Sequence, residues 1–247
     1  MIHARRAMRI DVLTLFPEIL TGALGSSIAG RAERGGYVSY HLHNIRDWTN
    51  DKHGKVDDRP FGGGPGMVMM CQPVYDAVLA VEALDERRPT RILLSPQGER
   101  LEQARLEQLV GQPRLLLIAG HYEGIDERVI DELEPLQVSI GDYMLSGGEI
   151  PALVLIDGLV RLIRGVLGHA ESASQDSFSM RGPGAQRLLE GPQYTRPQEW
   201  QGRRAPDILL SGNHQAVDAW REGIMLQRTR CRRPDLLHDP RPLDPSR

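Results

Sequence analysis

The 247-residue sequence predicts an α/β fold built on a parallel sheet. Short apolar or alternating segments, typical of strands, take turns along the chain with longer segments of helical periodicity. In addition, the apolar segments Arg91–Leu94 and Leu115–Ala119 are separated by RLEQARLEQLV, a helix-like stretch of the kind that connects parallel strands. With 40% hydrophobic residues, the chain can bury a substantial core, as one large domain or two small ones.

The N-terminal part of the chain contributes two strands and two helices. Met8–Leu15 (MRIDVLTL) predicts a buried strand, which ends at Phe16-Pro17 before a helix over Glu18–Leu24. The alternating segment Tyr37–Asn44 predicts the second strand. Pro73–Leu84 has helical spacing, with its proline in the first turn, where proline is tolerated.

The remaining segments continue this alternation. Helices are predicted over Arg100–Val110 and Ile125–Leu133, followed by a short strand at Val138–Ile140. Pro151–Ile163 is apolar on most faces, which indicates a largely buried helix. A last helix is predicted over His214–Leu226.

A change of composition after Gly168 indicates a domain boundary. The segment HAESASQDSFSM is small and polar and has no periodicity, as expected of a mobile linker. We therefore predict a first domain over residues 1–167, a linker over 168–181 and a second, helical domain over 182–247.

Composition and charge disfavour several classes of protein. No segment approaches the roughly 18 apolar residues of a membrane span, and the first residues lack the apolar region of a signal peptide, so we expect a cytoplasmic protein without membrane contact. Two cysteines and eight histidines without ligand spacing predict no metal-binding residues. A net charge of −3 does not suggest a nucleic-acid-binding protein, but Arg228–Arg233 (RTRCRR) is a candidate contact for phosphate groups.

Three glycine-bearing loops each follow a predicted strand, within Leu93–Arg100, Leu116–Val129 and Ser139–Pro151. Because loops at the carboxyl ends of parallel strands share one crevice, they predict a common ligand site. A dinucleotide or a nucleoside triphosphate is disfavoured, since no G-x-G-x-x-G opens a helix after a strand and Asp57–Met67 (DDRPFGGGPGM) lacks the Gly-Lys-Ser/Thr of a phosphate-binding loop. A pocket of backbone amides and carbonyls suits an adenine edge and a cofactor with a positive reactive end.

Seven motifs follow one another in the order found in one enzyme family. They are DDRPFGGGPGM, LSPQG, AGHYEGIDERV, SIGDYMLSGGE, ASQDSF, YTRP and LLSGNH. In these motifs the sequence resembles the TrmD-type tRNA (guanine-N1)-methyltransferases of bacteria, which belong to the SPOUT class, and the resemblance runs from Met8 to about Pro234. It implies a parallel-sheet SPOUT domain with a C-terminal trefoil knot over about residues 91–167, followed by a small helical, tRNA-binding domain.

The resemblance also implies an activity and its partners. The activity is transfer of a methyl group from S-adenosyl-L-methionine to N1 of guanosine(37), directly 3′ of the anticodon in tRNA. The implied enzyme is an obligate homodimer with an active site shared between the two chains. Mg²⁺ is an implied cofactor whose site the sequence does not locate.

By matching position, the resemblance further implies site residues. Asp176 would be the general base that removes the N1 proton, and Arg161 would hold the charge that develops toward O6. Family members commonly have arginine where this chain has His121, a shorter and titratable donor. The implied substrate-binding residues are Asp57, Asp58, Arg59 and Ser177. The implied cofactor-binding residues are Ser95, Pro96, Gly98, Gly120, Tyr122, Glu123, Ile140, Gly141, Asp142, Tyr143, Met144, Leu145, Gly147, Gly148 and Pro151.

Two alternative functions stay open. A SPOUT ribose 2′-O-methyltransferase would use the same knot with a different arrangement of the catalytic base, and the intact ASQDSF motif argues against it. A non-catalytic RNA-binding protein would retain the pocket for structure only. The presence of both Asp176 and Arg161 argues against this second alternative.

Overall fold

A computed structural model describes residues 7–167, 176–179, 182 and 186–237. Within these residues the strands are β1 (Met8–Thr14), β2 (Val38–Asn44), β3 (Asp57–Asp58), β4 (Val68–Met69), β5 (Thr90–Arg100), β6 (Arg114–Ala119), β7 (Leu136–Ser139), β8 (Glu199–Trp200) and β9 (Arg203–Arg204). The α-helices are α1 (Pro17–Leu24), α2 (Ser27–Arg34), α3 (Cys71–Glu82), α4 (Gln103–Leu109), α5 (Glu127–Leu133), α6 (Glu149–Val160) and α7 (His214–Arg232). None of these helices is long and apolar enough to span a membrane.

The largest sheet has five strands in the order β2-β1-β6-β5-β7, and all its neighbouring pairs are parallel. The central strand β6 is buried along its whole length, as its sequence RLLLIA requires. The predicted α/β fold with a parallel sheet is therefore confirmed.

Helices cover both faces of this sheet. In β6, Leu115 and Leu117 pack in one apolar cluster, and Leu116 and Ile118 pack in a second. The first cluster includes buried residues of α1, α2, α4 and α6, and the second includes those of α3 and α5. Alternate side chains of the central strands thus enter opposite layers, which fixes their register.

A buried ion pair lies at the amino end of the sheet. Arg114 Nε donates to Asp11 Oδ2 at 2.9 Å, and neither side chain is exposed. The remaining guanidinium nitrogens of Arg114 donate to backbone carbonyls, among them that of Glu82 at the end of α3. The pair therefore connects β1 and β6 to the helix that covers them.

Helix α2 and the β3–β4 hairpin are absent from the sequence predictions. Helix α2 has few large apolar residues and packs through the small residues Ala29, Gly30 and Ala32. A Cβ on Gly30 would collide with the carbonyl group of Gly25, so glycine permits this close packing. Because its buried face consists of small residues, a search for large apolar residues at helical spacing misses this helix.

Most predicted elements differ from the structure by one or more residues at an end, and β5, α6 and α7 are among those with the largest differences. Strand β5 continues beyond Leu94 through a bulge, so that both Leu94 and Glu99 pair with Val138 of β7. Helix α6 ends at Val160, which places Arg161 at its C-cap rather than inside a helix that continues to Ile163. Helix α7 extends beyond the predicted Leu226.

The chain divides into two compact units, Met1–Gly168 and His169–Arg247. In the second unit, Asn213 is the N-cap of α7, and its side chain accepts a hydrogen bond from Ala216 N at 3.1 Å. Leu188, Val217 and Met225 are buried there. Residues 168–175 and 180–181 of the predicted linker lie outside the described residues.

Candidate active site

Three loops surround one cavity of about 230 Å³ in the first unit. They are the bulge of β5 at Ser95–Gln97, the loop after β6 at Gly120–Ile125, and the loop after β7 at Ile140–Gly148. Since β5, β6 and β7 are parallel neighbours, their carboxyl ends meet at one edge of the sheet, as expected for a ligand crevice.

The second and third loops are joined through their backbones. Gly148 N donates to the carbonyl oxygen of Gly120 at 2.7 Å. A Cβ on Gly148 would lie 2.6 Å from Ala119 Cα, so only glycine permits this approach. The bridge between His121 and Gly147 extends the same contact. The two loops are therefore held together by main-chain contacts.

The third loop turns at Gly141, whose φ of 148° favours glycine. The ring of Tyr143 covers Gly141, and a Cβ there would lie 2.6 Å from the ring atom Cε1. Ser139 Oγ lies 3.2 Å from Gly141 N and from its carbonyl oxygen. These contacts hold Tyr143 at the cavity wall, which Met144 also lines.

A buried polar cluster lies beside this wall. The hydroxyl of Thr14 donates to Glu149 Oε1 at 2.6 Å, and Glu149 is only 3% exposed. Glu149 Oε2 lies 3.8 Å from His121 Nδ1, which is buried and has no hydrogen-bond partner among the described residues. The His121 ring packs against Phe16, with ring centroids 4.9 Å apart. His121 thus fills space beside the buried carboxylate.

The wall of the cavity has an acidic character. Glu123 and Glu127 line it, whereas no lysine or arginine of the described ranges does. Its apolar part includes Leu94, Ile130 and Pro151. Such a site suits a ligand with an apolar or aromatic part and a positive charge.

The glycine-rich segment packs against the loop after β6. Met69 N donates to the Gly124 carbonyl at 2.9 Å, and Glu123 N donates to that of Met67 at 3.0 Å. Gly66 approaches the Glu123 side chain so closely that a Cβ there would collide with it. The β3–β4 hairpin is therefore fixed next to the cavity.

The predicted substrate-binding residues of the first unit lie on this hairpin and not in the cavity wall. They are Asp57, Asp58 and Arg59. Asp58 accepts a hydrogen bond of 2.9 Å from Lys55 Nζ, which lowers the pKa of this exposed carboxyl group. Its charge is therefore retained into the acidic range.

The predicted catalytic residues belong to different units. Arg161 follows α6 in the first unit, where the negative end of the helix favours a cation. Asp176 and Ser177 belong to the second unit. There, Ser177 Oγ accepts a hydrogen bond from Glu190 N at 2.9 Å.

All but two of the predicted cofactor-binding residues line the cavity, and the exceptions are Gly98 and Asp142. A Cβ on Gly98 would collide with the backbone of Gln137 and Val138, so this glycine allows β5 to pack on β7. Asp142 is exposed and pairs with Arg100 at 2.9 Å. These two positions therefore serve contacts outside the cavity wall.

Other lining residues were missing from the sequence prediction. Most lie inside the three predicted loop segments and could have been found by including every residue of each segment, namely Leu93, Leu94, Gln97, His121, Gly124, Ile125, Ser139 and Ser146, and Val138 directly precedes the third segment. Glu127 and Ile130 reach the wall from α5. Their position depends on how α5 packs, for which the sequence has no local signal.

No group of three or more potential ligands among histidine, cysteine, aspartate and glutamate is placed to hold a metal ion in the part of the chain that the structure describes.

Comparison with known proteins adds a family match. The family model described as tRNA (Guanine-1)-methyltransferase TrmD matches residues 8–239. A protein of Ruminiclostridium cellulolyticum named tRNA (guanine-N(1)-)-methyltransferase is 52% identical over 231 residues, which cover 94% of this chain and 97% of the relative. Relatives with the same name come from Moorella thermoacetica, 52% identical over 93% of this chain and 90% of the relative, and from Bacillus cereus strain G9842, 48% identical over 94% and 93%.

Proposed function

Because the chain belongs to the tRNA (guanine-1)-methyltransferase family TrmD, we propose that it transfers a methyl group from S-adenosyl-L-methionine to N1 of guanosine(37) in tRNA. The observation that carries this proposal is the family match over residues 8–239, which includes all three loops around the cavity. In the proposed reaction the S–CH3 bond of a cationic cofactor breaks as the N1–CH3 bond of a polyanionic substrate forms, and S-adenosyl-L-homocysteine is the leaving group.

The residues of the cavity fit S-adenosyl-L-methionine. Backbone groups of Gly120 and the loop after β7 can bind an adenine edge, and Leu94, Ile130 and Pro151 can cover its faces. The negative charges of Glu123 and Glu127 favour a positively charged ligand. When bound, the cofactor supplies a methyl group that its sulfonium makes electrophilic.

The chemical task left to the protein is to make guanine N1 nucleophilic. N1 carries a proton at neutral pH, and we assign its removal to the carboxylate of Asp176. The guanidinium of Arg161 would hold the charge that develops toward O6. A general base typically contributes about 10²- to 10⁴-fold, and a donor at the oxygen about 10²- to 10³-fold. We also assign substrate contacts to Asp57, Asp58, Arg59 and Ser177.

We further propose a homodimer in which the two chains share each active site. Support comes from α6, where Ile150 is 50% exposed and Val154 is 46% exposed. The adjoining loop adds Met144, which is 78% exposed. A group of exposed apolar side chains on one element is typical of a contact surface.

The remaining features of the family are carried over as part of the same proposal. They are a trefoil knot over about residues 91–167, a linker over 168–181, a tRNA-binding domain over 182–247 and a cytoplasmic location. Mg²⁺ would assist methyl transfer, and we assign it no residues.

Product mapping tests the proposed function. Purified protein would be incubated with S-adenosyl-L-methionine and an unmodified tRNA transcript, and the digested nucleosides would be analysed by mass spectrometry. We expect N1-methylguanosine at position 37. A ribose 2′-O-methylated product would favour the alternative methyltransferase, and the absence of product with retained tRNA binding would favour a non-catalytic RNA-binding protein.

A variant tests the assignment of the base. Asp176→Ala should retain cofactor binding in calorimetry, and its rate of methyl transfer should fall by a factor of about 10² or more. Asp218→Ala is the matched control, since Asp218 is an exposed carboxylate of α7 in the same unit. Unchanged turnover in Asp176→Ala would overturn the assignment.

A further inference from the structure

The β8–β9 hairpin of the second unit has a fixed register. Glu199 pairs with Arg204, and Trp200 pairs with Arg203. The two connecting residues, Gln201 and Gly202, have φ values of 51° and 72°. Two consecutive positive φ values match the type I′ turn, which suits the twist of a two-residue hairpin. A hydrogen bond of 2.9 Å from Ala205 N to the Gln198 carbonyl extends the pairing.

The two faces of this hairpin differ in charge. Directly opposed residues of antiparallel strands project to the same face, so Glu199 and Arg204 share one face. Arg204 also pairs with Asp207 at 3.2 Å. On this face, the positive charge of Arg204 is therefore balanced by the carboxylate of Asp207.

The opposite face combines an aromatic ring and an unbalanced cation. Trp200 is 59% exposed, so its indole contributes little to packing of the hairpin. Its cross-strand partner Arg203 is exposed and has no ion pair among the described residues. An indole beside an uncompensated guanidinium has the chemistry of a nucleic-acid contact, in which a base stacks on the ring and the cation binds phosphate.

We propose that the Trp200–Arg203 face of the hairpin is a contact for the tRNA substrate, with a nucleobase stacked on Trp200 and a backbone phosphate bound by Arg203. The proposal rests on the proposed function for the identity of the RNA. Its two components are charge complementarity to a polyanion and a flat apolar surface that any base can cover.

The test compares the two arginines of the hairpin in the full-length protein. Binding of an unmodified tRNA transcript would be followed by fluorescence anisotropy over a series of salt concentrations. Trp200→Ala should weaken binding about 10-fold, and Trp200→Phe should recover part of the loss because its ring still stacks. Arg203→Ala should lower the slope of log K against log salt by about one, whereas Arg204→Ala should leave it unchanged.

Kinetics separate this inference from the proposed function. The hairpin variants should raise KM for tRNA and leave kcat at saturating tRNA unchanged, because the hairpin is assigned no chemical step. If the wild-type protein made no N1-methylguanosine, the proposed function would fail while the binding comparison still decided the role of the hairpin.

Two results would overturn the inference. They are equal losses of tRNA affinity in Arg203→Ala and Arg204→Ala, and unchanged tRNA affinity in Trp200→Ala. A change of oligomeric mass together with this unchanged affinity would identify the hairpin as a protein–protein contact. Urea unfolding of each variant checks that the fold is intact.

Discussion

The side chains of Thr14 and Glu149, 135 positions apart in the chain, form a buried hydrogen bond of 2.6 Å. Thr14 ends β1, and Glu149 begins α6 directly after the third loop of the candidate active site. The Thr14 hydroxyl also accepts a hydrogen bond of 2.9 Å from Phe16 N. The bond between Thr14 and Glu149 therefore connects the third loop to the sheet.

Thr14→Val should destabilise the protein and weaken cofactor binding. The substitution keeps the shape of the side chain but leaves the buried carboxylate of Glu149 without its donor, which costs about 1–3 kcal/mol. Urea unfolding measures the stability, and calorimetry with S-adenosyl-L-methionine should show a several-fold weaker affinity. Thr21→Val is the control, because that hydroxyl is exposed and donates only within α1. Equal effects of the two substitutions would contradict the proposed anchoring role.

Gly148→Ala should abolish cofactor binding. Its Cβ would lie 2.6 Å from Ala119 Cα, and neither atom can turn aside, because the backbone fixes the position of the Cβ and Ala119 Cα is itself a backbone atom. The second and third loops would have to separate, which opens the wall of the cavity. Calorimetry with S-adenosyl-L-methionine measures the loss.

Gly22→Ala provides the matched control for this glycine. No atom lies within 4 Å of a Cβ at Gly22, which is an exposed residue of α1. The control should leave cofactor binding unchanged and stabilise the helix by about 0.5–1 kcal/mol. Retained binding in Gly148→Ala would show that the two loops do not depend on their close contact.

The sequence predicts those parts of the fold in which local pattern and burial agree. Strand β6 is buried on both faces and reads as an apolar run, so its predicted start at Leu115 differs from the observed Arg114 by one residue. Helix α2 escapes prediction because it packs through small residues. A pattern of large apolar residues cannot reveal such a helix.

The candidate site, like the fold, is predicted by the sequence only in part. Glycines after parallel strands indicate which loops meet, since topology brings those loops together. The roles of individual residues depend on packing, so Gly98 could not be separated from the cavity glycines before its contact with β7 was known. The bond between Thr14 and Glu149 joins residues too distant in sequence for any local pattern to indicate it.

Asp11 should make the folded state sensitive to acid. Burial would raise the pKa of this carboxyl group, but hydrogen bonds from His43, Arg9 and Arg114 outweigh burial and hold the pKa well below its usual range. Asp11 therefore contributes stability that is fully present above the unfolded-state pKa of about 3.9 and is lost as pH falls toward the folded-state value.

Asp11→Asn tests this contribution. It leaves the buried guanidinium of Arg114 without a counter-charge, so the free energy of unfolding near pH 7 should fall by about 3–5 kcal/mol. The loss of stability below pH 4 should become shallower in the variant. Urea unfolding as a function of pH measures both effects, and the exposed Asp58→Asn serves as the control. If the free energy of unfolding of Asp11→Asn fell below pH 4 as steeply as that of the wild type, the acid sensitivity would be due to other carboxylates.

Val154→Glu should dissociate the proposed homodimer. Ile150 and Val154 are four residues apart, so they lie on the same face of α6, while Ala152, Leu155 and Ile156 are buried. A carboxylate on the exposed face leaves the fold of the chain intact but would be desolvated in a dimer contact, which is unfavourable. Sedimentation equilibrium should therefore detect a monomer, and methyl transfer should fall and then recover as protein concentration rises. Leu79→Glu on α3 introduces the same charge at a side chain that is 41% exposed, and it should leave the dimer unchanged. If Val154→Glu formed a dimer with the same affinity as the wild type, the contact between the chains would lie on another surface.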